Sequence, residues 1–247
     1  MTIALGFNCI GGVVLCADQQ IGASGWHKFN ESKMYVINNP TEPLYTIVLT
    51  YAGDPSVMKT FHQKFAGVVS ANKAFSSVRN LQTLLEGCLL DMNQDAVNST
   101  DLLCGVSVQG GTYGLLRTKG YSVYEIGDYD QIGVGDSSLV RFLSQMLVSH
   151  PMKVYPAVYI GNYIVKKAKE FVDGCGGETD ILILRGDGKC MPPWFKETEK
   201  SEQAGEAIEH DVKRLLWMVA NAEDQGRIDA FWDDLKIRVK DFTGVGQ

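Results

Sequence analysis

The chain has 247 residues, of which 45% are hydrophobic and 21% charged, and its formal net charge is −6 at pH 7. These values are typical of a soluble globular protein with a sizeable core, and the net negative charge argues against nucleic-acid binding. No apolar run approaches the roughly 18–20 residues that span a bilayer, and six cysteines without metal-ligand spacing predict reduced thiols in a cytoplasmic protein.

The N-terminal segment predicts a β-hairpin. Two apolar runs, residues 2–8 and 13–17, flank a turn that contains Gly11 and Gly12. Folding at this turn brings Asp18 back beside residues 2 and 3. Thr2 and Asp18 share a face of the sheet only if they pair directly, because a slip of one residue reverses the face.

Thr2 is the candidate nucleophile of the hairpin. If the initiator Met1 is removed, Thr2 carries a hydroxyl group and a free α-amine on one residue. This pair is a recognised way to activate a weak nucleophile. Removal is expected because the second residue is small.

The rest of the sequence predicts groups of strands that alternate with groups of helices. After a polar segment at 19–30, strands are predicted at 33–37, 45–52, 101–109, 112–118, 121–126, 132–135 and 179–184, and helices at 55–69, 76–92, 138–146 and 156–172. Asp54 is the N-cap of the first predicted helix, and Pro55 occupies its first position. Runs of strands alternating with helix pairs predict an α+β fold, a four-layer αββα sandwich of two antiparallel sheets covered by helix pairs.

The C-terminal residues differ in character. From Pro192 onward the chain is charged and helical in pattern, with an aromatic stripe of Trp217, Phe231 and Trp232. We therefore predict one domain over residues 1–190 and a helical extension over 191–247, which packs on the domain or on a neighbouring subunit.

The chain resembles a proteasome β-type subunit, a member of the N-terminal-nucleophile (Ntn) hydrolases, over roughly residues 2–190. The resemblance implies the αββα fold and a threonine protease that assembles into homo-oligomeric rings with no cofactor or metal. It rests on the order and approximate spacing of these residues: Thr2-Ile3, Gly12-Val13-Val14, Ala17-Asp18, Lys33, Ala52-Gly53, Gly133-Val134-Gly135 and Asp173…Gly176-Gly177.

The resemblance also implies the catalytic residues. The nucleophilic threonine corresponds to Thr2, the aspartate to Asp18 and the lysine to Lys33. The glycine whose backbone N–H stabilises the developing oxyanion corresponds to Gly53. Since a free α-amine titrates near pH ~7.7–8.0, it can act as the base for its own hydroxyl group. The segment between Asp18 and Lys33 is one residue shorter than the family pattern, so Met34 is the alternative at the lysine position.

Three further residues are assigned supporting roles. Asp173 and Ser137 correspond to residues that support the catalytic group, although Asp136 stands where the family usually has serine. Tyr51 is expected to line the pocket for the substrate side chain, because it lies beside the candidate oxyanion glycine. Cys175, which replaces a family serine, is interpreted as a small buried thiol.

Three functions are compatible with these residues. The first is a threonine-type peptidase acting on a peptide or protein substrate, with any ATPase partner undetermined. The second is a catalytically inactive proteasome-like scaffold or binding subunit, which a retained Met1 or a displaced Lys33 favours. The third is an Ntn amidase acting on a small molecule, which a monomer with a narrow pocket favours.

Overall fold

The computed structural model of the protein describes residues 2–22, 28–39, 44–72, 77–133, 138–148 and 150–192. Beyond these it describes isolated helical positions: Glu206, Glu209, His210, Arg214, Gly226, Arg227, Ala230, Asp233 and Asp234. The chain divides into two compact units, residues 1–193 and 194–247. The strands and helices with established bounds all lie in the first unit. The aromatic stripe predicted for the C-terminal helices lies outside the described residues.

The N-terminal hairpin forms the centre of the first sheet. Strands β1 (Ile3–Cys9) and β2 (Gly12–Asp18) pair antiparallel, with Ala4 opposite Ala17. Gly11 has a φ of 92°, a left-handed conformation that glycine adopts without strain. The other strands of the sheet, whose order is β10-β1-β2-β11-β12, are β10 (Tyr129–Gly133), β11 (Thr179–Arg185) and β12 (Cys190–Met191).

The second sheet is also antiparallel and has the order β5-β6-β7-β8-β9. Its strands are β5 (Met34–Asn39), β6 (Tyr45–Ala52), β7 (Asp101–Val108), β8 (Thr112–Lys119) and β9 (Ser122–Ile126). A two-stranded ribbon of β3 (Gln20–Gly22) and β4 (Lys28–Asn30) precedes it. This ribbon accounts for part of the polar segment after Asp18.

Five helices have established bounds: α1 (Pro55–Ala71), α2 (Val78–Leu90), α3 (Gln94–Asn98), α4 (Ser138–Leu147) and α5 (Val154–Phe171). Helix α1 begins at Pro55 because the side chain of Asp54 accepts a hydrogen bond from the Ser56 N–H at 2.7 Å. Ser77 caps α2 in the same way, through the Asn80 N–H. The predicted helix starts at residues 55 and 76–77 thus agree closely with the structure.

Three apolar layers hold the elements together. One packs α1 and α2 on the second sheet, and another packs α4 and α5 on the first sheet. The third lies between the two sheets and contains Leu15, Val48 and Leu103, each fully buried. The four-layer αββα sandwich predicted from the sequence is confirmed. Among the described residues, no helix is long and apolar enough to cross a membrane.

Packing of α5 on β1 and β2 provides a test of this architecture. A Cβ atom at Gly161 would lie 2.5 Å from Cys16 Sγ and 3.0 Å from the Phe7 ring. We expect Gly161→Ala to lower the free energy of unfolding by about 1–3 kcal/mol through overpacking. Gly67, on the exposed face of α1, has no such neighbour within 4 Å.

The matched control is therefore Gly67→Ala, which should raise the free energy of unfolding by about 0.5–1 kcal/mol through helix propensity. Chemical denaturation of the two variants measures both effects. Equal effects of the two substitutions would contradict the close approach of α5 to the first sheet.

Candidate functional site

The hairpin register places Asp18 next to the first strand. Extending the pairing by one residue puts Asp18 opposite Ile3 and Thr2 opposite Gln19. The Ile3 N–H donates to Asp18 Oδ1 at 3.0 Å. The direct pairing of Thr2 with Asp18 therefore does not occur, because the register offsets the two residues by one position. No hydrogen bond between the described residues joins the Thr2 hydroxyl group to Asp18 or Lys33.

Asp18 forms a buried ion pair with Lys33. The distance from Lys33 Nζ to Asp18 Oδ1 is 2.7 Å, and the two side chains are 1% and 0% exposed. Lys33 lies directly before β5, whereas the neighbouring Met34 packs in the apolar layer between the sheets. Lys33, and not Met34, thus supplies the cation beside Asp18.

A third donor completes the environment of Asp18. The Gly176 N–H donates to Asp18 Oδ2 at 3.1 Å. Gly176 belongs to the glycine-containing turn that follows α5, as does Asp173, but Asp173 is exposed to solvent. The carboxylate is therefore held by one ammonium group and two backbone amides, and the contact from this turn comes from Gly176.

Burial shifts the proton affinities of the groups around this pair. Desolvation lowers the pKa of Lys33, and the charge and hydrogen bond of Asp18 oppose that shift. Burial raises the pKa of the Cys175 thiol to about 11, and the charge of Asp18 adds to that shift. Cys175 is therefore a protonated thiol at neutral pH, which agrees with its interpretation as a buried residue and not a nucleophile.

Thr2 lines a cavity of about 440 Å³. Ala52, Gly53 and Gly133 line it as well, and the remaining wall is the segment 98–101, which joins α3 to β7. Pockets of about 300–1,000 Å³ are typical of small-ligand sites. The cavity thus brings the candidate nucleophile and the candidate oxyanion glycine to one space.

Gly53 follows β6 with a φ of 140°, in the left-handed region. A Cβ atom at this position would lie 2.5 Å from the Ser99 carbonyl oxygen and 2.9 Å from Thr100 Oγ1. Only glycine fits this close approach without displacing the polar segment. The backbone conformation and this close approach thus require glycine at position 53, independently of any catalytic role of its N–H.

Tyr51, which the sequence analysis expects in the substrate pocket, is not among the described residues that line this cavity. It is 1% exposed and packs in the apolar layer under α1 and α2, where its ring lies 6.0 Å from that of Tyr35. Residues 51 and 52 point to opposite faces of β6 because side chains alternate along a strand. Ala52, the neighbour of Tyr51, is the one that faces the cavity. Ser137 lies outside the described residues.

The sequence reasoning missed the polar segment from Asn98 to Asp101, with the sequence NSTD. A signal was available, since four consecutive hydrogen-bonding residues stand between buried Val97 and buried Leu102. Gly176 contributes to the resemblance in the sequence, but no contact with Asp18 is predicted for it. Among the described residues, no group of three or more His, Cys, Asp or Glu side chains is placed to hold a metal ion.

No protein-family model and no curated protein matches the chain. Solved structures do match it. An Anbu (Gly-1) mutant from Hyphomicrobium sp. strain MC1 superposes with a TM-score of 0.71 at 14% identity, covering 86% of this chain and 97% of that one. Anbu (ancestral beta-subunit) from Yersinia bercovieri gives 0.68 at 15% identity, with coverages of 84% and 95%.

A third similar structure is the helical assembly of the Anbu complex from Pseudomonas aeruginosa. Its TM-score is 0.68 at 13% identity, with 86% of this chain and 96% of that one covered. At such low identities the likeness concerns the fold. The chain therefore has the same fold as these Anbu structures, which agrees with the αββα architecture predicted from the sequence.

Proposed function

We propose that the chain is a threonine-type peptidase of the Ntn class, with Thr2 as nucleophile after removal of Met1. One observation carries the proposal. The buried pair of Asp18 and Lys33 is hydrogen-bonded to the backbone of residue 3, immediately after a threonine that shares a cavity with Gly53. A buried ion pair is costly to desolvate, and its position next to a potential N-terminal nucleophile gives it a chemical use.

The proposed reaction uses groups of Thr2 itself. The free α-amine takes the proton of the hydroxyl group as its oxygen attacks the carbonyl carbon of the scissile amide. The negative charge on the carbonyl oxygen is stabilised by the N–H of Gly53. The intermediate then expels the amine product, which receives the proton, and leaves an ester on Thr2. A water molecule activated by the same α-amine hydrolyses the ester, so no cofactor is required.

Lys33 and Asp18 act on this reaction through charge. An ammonium group near the α-amine lowers the amine's pKa and increases the fraction that can accept a proton at neutral pH. Asp18 holds the ammonium group in place through a charge-assisted hydrogen bond. Catalytic hydrogen bonds are often long before substrate binds, which is consistent with the absence of one between Thr2 and Lys33.

The alternative is a catalytically inactive scaffold subunit. Among the described residues no hydrogen bond joins the Thr2 hydroxyl group to Asp18 or Lys33, and this observation favours it. Under either function we propose a homo-oligomer, supported by the assembly formed by the similar Anbu complex. The helical extension predicted from residue 191 is proposed for the second compact unit, residues 194–247, because Met191 belongs to β12.

Intact mass spectrometry of the expressed protein, before and after treatment with a β-lactone probe, tests the proposal. We expect a mass that lacks Met1 and an adduct of one probe molecule per chain, located on Thr2 by peptide mapping. A small second residue favours methionine removal, and acylation needs a reactive hydroxyl group. A retained Met1 together with no adduct would establish the inactive alternative.

A further inference from the structure

The chain between α5 and β11, here called the glycine turn (residues 172–178), contacts the Asp18 carboxylate. The Gly176 N–H donates to Asp18 Oδ2 at 3.1 Å, and the Gly176 carbonyl oxygen accepts from the Gln20 N–H at 3.0 Å. Thr179, the first residue of β11, pairs with Asp18 in the first sheet. The position of the carboxylate therefore depends on the path of this turn.

The Gly176 contact differs from the other two contacts of Asp18. The Ile3 N–H and the Lys33 ammonium group both donate to Oδ1, whereas the Gly176 N–H donates to Oδ2. Rotation of a carboxylate about its Cβ–Cγ bond has broad minima, so donors on one oxygen leave that rotation loosely fixed. A donor on each oxygen fixes it. The Gly176 N–H thus keeps Oδ1 directed at Lys33.

Lys169, in the last turn of α5, joins the helix to the glycine turn. Its Nζ atom donates to the Gly177 carbonyl oxygen at 3.0 Å and to Thr179 Oγ1 at 2.7 Å. Both acceptors follow Gly176 closely in the chain. Hydrogen bonds from an ionised donor are roughly twice as strong as neutral ones. The ammonium group therefore ties the turn to the helix close to the point where the turn contacts Asp18.

The two contacts of Lys169 reach beyond its own helix. A lysine near the end of a helix can donate to the last carbonyl groups of that helix. Helix α5 ends at Phe171, and the Val172 N–H donates to the Ala168 carbonyl oxygen at 2.8 Å. The acceptors of Lys169 lie after this end, in the turn and in β11. Its hydrogen bonds thus hold the turn and the strand to the helix.

We infer that Lys169 is a positioning residue of the candidate site, which acts through the Gly176 N–H on the pair of Asp18 and Lys33. The inference rests on the proposed function for its link to hydrolysis, whereas the hold on the turn depends on the hydrogen bonds alone. Without Lys169 the turn opens more often and the Asp18 carboxylate rotates. The Lys33 ammonium group then occupies a wider range of positions. A displacement of about 1 Å in a catalytic arrangement can cost about 100-fold in rate.

Hydrogen exchange of the Gly176 amide in the full chain tests the hold on the turn without reference to activity. An amide in a hydrogen bond exchanges when a local opening breaks that bond. Lys169→Met keeps a long side chain and removes the donor, so we expect the protection of the Gly176 N–H to fall about tenfold. Mass spectrometry with fragmentation of a peptide over residues 173–180 measures it. The Gly188 N–H, which donates to Ser107 Oγ beyond the other end of β11, should keep its protection.

Lys167→Met is the matched control. Lys167 lies on the same helix, and its ammonium group donates to Glu170 Oε2 at 2.9 Å within the helix, so exchange at Gly176 should stay unchanged. Lys169→Arg should restore protection, because a guanidinium group keeps the charge and several donors. Thr179→Val removes one acceptor of the ammonium group at little change in shape. It should increase exchange at Gly176 as well, and it keeps the test decisive if Lys169→Met does not fold.

Hydrolysis of a fluorogenic peptide amide connects this positioning to the reaction. We expect the kcat of Lys169→Met to fall about tenfold, while KM changes by less than about twofold. KM is spared because the described residues that line the cavity beside Thr2 do not belong to the glycine turn. Lys169→Arg should recover most of kcat, and Lys167→Met should match the unsubstituted chain.

The two measurements separate this inference from the proposed function. Unchanged exchange at Gly176 in Lys169→Met, or in Thr179→Val, would overturn the inference. An equal loss of protection at Gly188 would also overturn it, because it would report a general loss of stability. Faster exchange at Gly176 with an undiminished kcat would do the same. The expected exchange in a chain that hydrolyses no peptide would support the hold of Lys169 on Asp18 and contradict the peptidase.

Discussion

Thr2→Ala is expected to abolish peptide hydrolysis, with a fall in kcat of at least about 10³-fold. The substitution removes the only hydroxyl group that can form the proposed ester, while the α-amine remains. Thr2 lies before β1 and its side chain makes no hydrogen bond to Asp18 or Lys33 within the described residues. Thermal unfolding should therefore change little, so that lost activity reports on chemistry.

Thr2→Ser is the matched control. Serine keeps the hydroxyl group and the α-amine, and both variants keep a small second residue, so Met1 removal is expected in each. Activity should be retained in Thr2→Ser and lost in Thr2→Ala when initial rates are measured on one fluorogenic peptide. Undiminished turnover by Thr2→Ala would move the reaction to another residue.

Lys33→Met is expected to lower the free energy of unfolding by about 3–5 kcal/mol, because it leaves the Asp18 carboxylate buried without its cation. Asp18 is fully buried, and the lost hydrogen bond is 2.7 Å long. Peptide hydrolysis should be lost as well, since the ammonium group that favours the neutral α-amine is absent. Urea denaturation gives the stability change.

Two comparisons isolate the buried charge as the cause. Lys64→Met breaks the exposed pair of Lys64 and Asp91, whose side chains are 40% and 66% exposed, and should cost at most about 1 kcal/mol. Combining Lys33→Met with Asp18→Asn should recover much of the stability, because no unpaired charge stays buried. A Lys33→Met effect no larger than that of Lys64→Met would refute the structural role of the pair.

Local sequence signals were sufficient for most elements of the fold. The strand at 45–52 and the helix start at Asp54-Pro55 are each predicted from a few neighbouring residues, and both predictions agree with the structure. The five-residue helix α3 was missed because one helical turn carries too little periodicity to be distinguished from a loop.

The position of Tyr51 shows what such signals lack. All eight residues of β6 are buried, since one face meets α1 and α2 and the other meets the first sheet. A strand buried on both faces shows no alternation of polar and apolar residues. The sequence therefore gave no basis for deciding which of its side chains face the candidate site.

Some parts of the candidate site could likewise be predicted from the sequence, and other parts could not. Asp18 beside the start of the first strand was predicted from the hairpin, since a tight turn fixes which strand ends meet, whereas Lys33 as its cation was implied by the resemblance to the proteasome family. Other features depend on contacts between residues far apart in sequence. These are the Gly176 N–H bond to Asp18, the register that offsets Thr2 from Asp18 and the position of the segment 98–101 beside the cavity.

The sequence by itself determined the order of strands and helices, the N-terminal hairpin and the αββα architecture, because turns, caps and apolar patterns act over a few residues. The tertiary structure alone decided the cavity beside Thr2. The register of β6 with β7 places Asp101 beside Ala52, and both residues line that cavity. That register is set by packing on both sheet faces, which no local pattern encodes.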